Sequence, residues 1–274
     1  MSFSLNKIQK GPKKEPRKIL IYGPPKLGKS TLAGATKNAL LIPTEDRVSH
    51  IECDKTPVIK SYGELFKIFT VLLEEKHSYK RVIIDTLDWL EPLLHQQVIE
   101  DLNEGKSEKI KSITDDHSKE TAFFKGLKYH AVAEWKKFFN YCDVMRENGF
   151  DVVLVAHSAV INVNMPDVDP YDKYVMKVDK HALSVIEEWA DIIAFYDKEI
   201  IVRKEGSAIN KKGKAISKHS RKLYLDGENP AMISGNSYGL DNAGNIQIED
   251  CAEIMEWLLT ANNNTTKIKQ EKKQ

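Results

Sequence analysis

The chain has 274 residues, 41% of them hydrophobic, which is enough to bury a full core and excludes disorder throughout. Lysine and arginine total 41 against 40 aspartate and glutamate, a net charge of +1, so the molecule as a whole does not attract polyanions and any nucleic-acid surface must be local. Cys53, Cys142 and Cys251 are far apart and lack CxxC spacing, which argues against a disulfide framework or a zinc site and fits a reducing cytoplasm.

The start, MSFSLNKIQKGPKKEPRK, is basic but has no apolar core of signal-peptide length, and no later segment approaches a membrane span. The expectation is a soluble protein with no membrane contact. Residues 1–17 and the tail 261–274 are polar and lysine-rich and are expected to be flexible, flanking one folded unit over 18–260. No repeat of solenoid period is present.

In chain order, strand-like runs occur at KILIY (18–22), ALLIP (39–43), RVIID (81–85), DVVLVA (151–156) and DIIAFY (191–196). All are short and rich in Ile, Val and Leu. Helical patterns alternate with them: 30–38, then SYGELFKIFTVLLEEK with capping-box spacing at Ser61 and Glu64, then DWLEPLLHQQVIEDLN. A further helix over about 123–147 repeats Leu127, Ala131, Trp135, Phe138, Phe139 and Cys142 at three- and four-residue steps. This alternation predicts an α/β fold with a mainly parallel sheet. EIIVRKE and RKLYLD read as added strands joined by a basic loop, making one edge antiparallel, and IEDCAEIMEWLLTA reads as a closing helix.

GPPKLGKST, residues 23–31, carries the chemistry. It fits GxxxxGK[ST] with Gly23, Gly28, Lys29 and Ser30 in place, and Pro24, Pro25, Lys26, Leu27 and Thr31 complete the loop. Glycines let backbone amides approach phosphate oxygens, Lys29 is placed to reach the β- and γ-phosphates, and the Ser30 hydroxyl is a Mg²⁺ ligand. ATP and Mg²⁺ are the expected ligands. Asp85 ends an apolar strand as a Walker B aspartate does and is the candidate second support for Mg²⁺, with Asp88 lying a little beyond. Glu45, after LLIPT, is the candidate that orients or deprotonates the attacking water, with Asp46 competing for the role. His157 ends the fourth strand and is the candidate sensor of the γ-phosphate; a histidine satisfied by local backbone is the plainer alternative.

GPPKLGKST, LLIPTEDR, RVIIDTLDWLE, KGLKYHAVAEWKKFF, VVLVAHSAV and HALSVIEEWADIIAF come in an order that resembles the phage-type nucleotide-binding proteins of the AAA group, which have a RecA-like core. The likeness spans roughly 18–240. It implies a three-layer RecA-like P-loop ATPase whose relatives bind single-stranded DNA in phage recombination and help anneal it alongside a single-strand-binding protein, in the host cytoplasm if phage-encoded. It also implies a homo-oligomer. By position, Lys29 and Ser30 belong to the phosphate loop, Glu45 resembles the catalytic glutamate, Asp85 the Walker B aspartate and His157 the sensor before a DNA-binding loop, here 158–180. Where such proteins commonly show Asn-Arg-Tyr-Gly-Leu, this chain reads GNSYGL, with Ser237 in place of the arginine. Lys218, Arg221 or Lys222 are the candidates to substitute for it.

Between Gly206 and Leu225 lie six cations, Lys211, Lys212, Lys214, Lys218, Arg221 and Lys222, and no acid. Such a run can neutralise several phosphates, giving salt-sensitive binding, or can serve as a solvated surface or a subunit contact. A loader or adaptor driven by nucleotide, and a small-molecule kinase with this run as a lid, are competing readings. NKKG at 210–213 lacks the aspartate of a guanine-reading NKxD motif.

Overall fold

The computed structural model describes residues 13–205, 212–240 and 246–261, together with Ile8, Lys10 and Gly11. The elements are β1 (Lys18–Gly23), α1 (Lys29–Gly34), β2 (Ala39–Pro43), β3 (Asp54–Lys55), α2 (Tyr62–Glu74), β4 (Arg81–Asp85), α3 (Leu87–Asn103), α4 (Val132–Glu147), β5 (Asp151–Val163), β6 (Tyr171–Met176), α5 (Lys180–Trp189), β7 (Ile192–Glu205), β8 (Lys212–Tyr224), β9 (Gly235–Asn236), β10 (Ile246–Gln247) and α6 (Cys251–Thr260). The sheet runs β10-β8-β7-β1-β5-β4-β2-β3. From β7 to β3 neighbouring strands are parallel; β8, β10, β6 and β9 pair antiparallel.

Three layers explain why the strands read as uninterrupted apolar runs: both faces are buried. Leu20, Tyr22, Ile42, Val82, Ile84 and Leu154 pack under α2–α5 with Leu65, Leu90, Trp135 and Ile186. Ile19, Ile21, Leu41, Ile83 and Val155 pack on the opposite side against Leu32 of α1 and Leu258 of α6. This is an α/β three-layer P-loop NTPase fold of RecA-like type, in which β5 lies between the phosphate-loop strand β1 and the Asp85 strand β4. Gly23 pairs with His157 and Asp85 with both Val155 and Pro43, so the tips of β1, β5, β4 and β2 share one edge. Among the described residues, no helix is long and apolar enough to cross a membrane.

Several expectations need correction. The first helix stops at Gly34 rather than 38, capped at Ala35 (φ -76°, ψ 35°), and Asn38 then takes a left-handed turn (φ 57°) into β2. The capping box is not closed: Ser61 makes no side-chain cap bond, and Glu64 Oε2 instead accepts from the Lys60 amide at 2.8 Å. The fourth strand does not end at His157 but continues to Val163 and returns as β6, so 158–180 contains a β-hairpin where a loop was expected. EIIVRKE is not a separate strand but the continuation of the fifth, β7. Lys212, Lys214, Lys218, Arg221 and Lys222 lie in its partner β8 rather than in a loop, and Lys211 and the 206–210 stretch lie outside the described residues. Folded structure also reaches back before Lys18: Arg17 is buried, donates to the Ala261 carbonyl and stacks on Tyr238, while Arg146 binds Glu15. Of the expected tail, 261–274, Ala261 is buried in the fold, and residues 262–274 lie outside the described residues.

Candidate nucleotide site

The phosphate loop leaves β1 where packing is tightest: a Cβ on Gly23 would sit 2.0 Å from the Tyr196 carbonyl oxygen. Gly28 has φ 93°, a left-handed conformation that glycine takes without cost. Lys29 follows, 4% exposed, its ammonium donating to the carbonyls of Gly23 (3.0 Å) and Pro24 (2.8 Å). Burial pulls its pKa down to about 8 against the opposing charges of Asp85, Asp88 and Glu45, named in order of strength. That one residue feels all three carboxylates places them around a common space.

Asp85 is 1% exposed at the tip of β4. Burial raises its pKa, and a hydrogen bond from the Ser30 side chain lowers it part of the way back. Its Oδ1 has no hydrogen-bond partner among the described residues. A buried carboxylate oxygen without a partner costs several kcal/mol unless a cation or donor arrives, roughly the scale of a broken buried ion pair. Asp85 and the Ser30 hydroxyl therefore fit a hydrated Mg²⁺ beside a phosphate.

Thr44 positions the next residue. Its amide donates to the Asp85 carbonyl at 2.8 Å, its hydroxyl donates to the Thr86 carbonyl at 2.9 Å, and that hydroxyl oxygen accepts from the Thr86 amide at 2.7 Å. The end of β2 is thereby stapled to the end of β4. Glu45 comes next, its side chain 12% exposed with Arg47 at 3.8 Å, whereas Asp46 is exposed. Of the two competing acids, Glu45 is the less exposed and the one whose charge Lys29 senses.

His157 is held by a residue that sequence spacing offers only as an alternative to Asp85. Asp88 Oδ1 accepts from the His157 amide at 2.9 Å, and Oδ2 lies 2.8 Å from Nδ1. Burial alone would raise the Asp88 pKa, but the hydrogen bonds from His157 outweigh it and hold the carboxyl below its usual range. With Nδ1 donating to Asp88, Nε2 is the ring atom left for a ligand. One turn further along α3, both carboxylate oxygens of Glu91 accept from the Asp179 amide at 3.0 Å, at the start of α5. Burial pushes the Glu91 pKa up to about 7.

Arg221, which the sequence offers both as a DNA-contacting cation and as a substitute for the missing arginine, reaches the phosphate loop of its own chain. Its Nη1 donates to the Leu27 carbonyl at 3.2 Å and lies 2.9 Å from where a Cβ on Gly28 would stand. No sequence pattern marks this, because it depends on β8 lying two strands from β1 through β7. Lys222 pairs in register with Asp197 of β7, and the side chains of Lys212, Lys214 and Lys218 lie outside what the structure describes.

A family profile, described as an AAA domain, matches residues 15–232. The chain belongs to the AAA domain family. It is an AAA-type P-loop ATPase domain. Among curated proteins, none matches. The flagellar accessory protein FlaH from Methanocaldococcus jannaschii is similar in structure at 9% identity and a TM-score of 0.37, with 81% of this chain and 80% of that chain covered. The RecA-like arrangement is carried by the strand order of the AAA domain itself.

Proposed function

We propose that this AAA domain is a Mg²⁺-dependent ATPase that acts on single-stranded DNA in recombination or replication of the phage type. The observation that carries the ATPase part is the unpartnered, buried Oδ1 of Asp85 beside Ser30 and Lys29, with Glu45 and His157 on the same edge. Mg²⁺ bound to ATP would neutralise phosphate charge as the γ-phosphoryl group leaves. The chain's own groups supply the rest. The loop amides and Lys29 bind and orient the polyphosphate, Ser30 and Asp85 hold the metal, and Glu45 accepts the proton of the attacking water. His157, oriented by Asp88, presents Nε2 to the transferred group and links that contact to the β5–β6 hairpin.

The DNA part is supported by the resemblance of the ordered motifs and by the acid-free run 206–225. A homo-oligomer and a single-strand-binding protein as partner belong to the same reading. The test is ATP turnover measured at low salt with and without single-stranded DNA. Stimulation is expected; hydrolysis that ignores DNA, together with no DNA binding, refutes the DNA role while leaving the ATPase.

A second reading, a nucleotide-driven loader or adaptor, is favoured by the β5–β6 hairpin. It exposes Val160, Ile161, Met165 and Val168 beside Asp167, Asp169 and Asp172, chemistry that suits a protein surface better than a phosphate backbone. Retention of a replication protein that depends on ATP and on these four apolar residues would favour it.

A further inference from the structure

The segment between α3 and α4 carries a surface that neither the nucleotide site nor the core uses. Phe123 and Phe124 are adjacent and 87% and 63% exposed, and Tyr129 is also exposed. Both phenylalanines sit at positive φ, 57° and 59°, a region that bulky L-residues rarely enter. Exposed apolar rings held in a strained backbone gain nothing from burial within this chain. Strain of this kind persists where surrounding structure imposes it, and it concentrates at ligand-binding segments.

The surroundings here do impose it. Thr121 is fully buried and its hydroxyl donates to the Asp115 carbonyl at 2.6 Å, fixing the turn on its N-terminal side. On the other side Gly126 lies so close to the preceding loop that a Cβ would sit 2.0 Å from the Ile113 carbonyl oxygen. Gly126–Ala131 then forms a π-helical turn that packs against α3 and α5 and leads into α4. π-turns within helices recur at functional positions. The rings are thus presented outward from a rigid base.

Their neighbours are cationic. Lys125 and Lys128 are exposed, the Lys128 ammonium lies 5.3 Å from the Tyr129 ring centroid, and Lys119 and His130 flank them. Within 119–131 the single acid is Glu120, which is already engaged by Lys106 (3.9 Å) and His130 (3.7 Å). Since α4 runs into the start of β5, its N-terminal end lies toward the far end of that strand, the edge that holds His157 and the phosphate loop. Rings for stacking, interleaved with exposed lysines, one of which donates to the Lys119 carbonyl at 3.3 Å, match the two demands of a single strand: base faces and phosphate charge.

We infer that Phe123, Phe124 and Tyr129, with Lys125 and Lys128, form a base-stacking platform for single-stranded DNA on the ATP-binding edge. The inference rests on the DNA-directed reading above and assigns it a site separate from β8. The experiment uses the full chain and a fluorescein-labelled oligo(dT), with anisotropy read at low salt. The double variant Phe123→Ala/Phe124→Ala should bind about ten- to a hundredfold more weakly. Phe123→Tyr/Phe124→Tyr should restore binding, and ATP turnover without DNA should stay at the wild-type rate in both, which shows that the domain is folded. Wild-type affinity in the alanine variant overturns the platform while leaving DNA action intact. No oligo(dT) binding by the wild-type chain removes the DNA reading itself. A change in elution volume with unchanged DNA affinity assigns the rings to a protein interface and overturns the platform as well.

Discussion

Two antiparallel hairpins rise from the ATP-binding edge, and they differ in charge and in footing. β5–β6 carries three aspartates and one lysine between Ser158 and Met176. Its feet are held by neighbouring turns of α3, Asp88 gripping His157 and Glu91 gripping the Asp179 amide, and the Lys177 amide closes the base on the His157 carbonyl at 2.8 Å. β7–β8 carries the acid-free basic run on β8 and meets the site through Arg221 on the Leu27 carbonyl. One hairpin is footed just after Asp85, the proposed metal support. The other is footed on the phosphate loop. The two hairpins are thus tied to two different parts of the same sheet edge.

Lys29→Ala removes the group that both sides share, and it should lower ATP turnover by roughly a hundred- to a thousandfold, the scale for one lost transition-state donor. Steady-state phosphate release checks it, and near-normal turnover would place the chemistry elsewhere. Next in size, Glu45→Gln should cut turnover by about a hundredfold or more while ATP still binds, as expected for a lost general base. Equal losses in affinity and turnover would instead make Glu45 a binding group.

Asp88→Asn sharpens the contrast between the hairpins. It should reduce turnover by about tenfold to a hundredfold, the usual cost of an orienting partner, and raise amide exchange across 158–176 without changing exchange in β8. Arg221→Ala is the mirror experiment. It should raise the Michaelis constant for ATP by roughly tenfold to a hundredfold with little change in maximal rate, at about 1.5–3 kcal/mol for a hydrogen bond from a charged group. If either variant loosens both hairpins alike, the division between them is wrong.

A further effect is a pH dependence. Free Lys29 titrates at about 8, so below that pH it is already charged and ready for phosphate. Polyphosphate favours the ammonium and raises its pKa on binding, so above about pH 8 binding must take up a proton and affinity should fall, approaching tenfold per pH unit. Calorimetry in buffers of different ionisation enthalpy would detect that uptake; a flat profile from pH 7 to 9 would argue that Lys29 stays charged throughout. The same burial destabilises the ligand-free fold below pH 8, and the penalty is relieved as the pH rises from about 8 toward the unfolded value of 10.5.

Much of this was readable from order and spacing. GPPKLGKST between an apolar strand and a helix names a phosphate loop, and the uniform Ile/Val/Leu strands announce a sheet covered on both faces. Asp85 and His157 were legible as polar residues closing apolar runs, because that boundary is where a buried strand meets the ligand edge. The antiparallel β7–β8 edge was legible in outline, but the β5–β6 hairpin was not. Backbone pairing of Ser158–Val163 with Tyr171–Met176 joins segments whose side chains carry no clean alternation, so only the formed ladder reveals it.

The sequence by itself determined which local chemistries exist: a nucleotide grip, two strand-end groups, a cationic run and two adjacent phenylalanines. Tertiary structure decided which of them meet. Glu45 rather than Asp46 is the acid whose charge Lys29 senses, next to the Thr44 that staples β2 to Asp85 and Thr86. Asp88 becomes the partner of His157 because α3 starts beside β5, and Arg221 leaves the cationic run for the phosphate loop because β8 folds back along β7. Periodicity and motif spacing encode contacts within a few residues, whereas these are made across 42, 69 and 194 positions of chain, where only the packed sheet fixes distance.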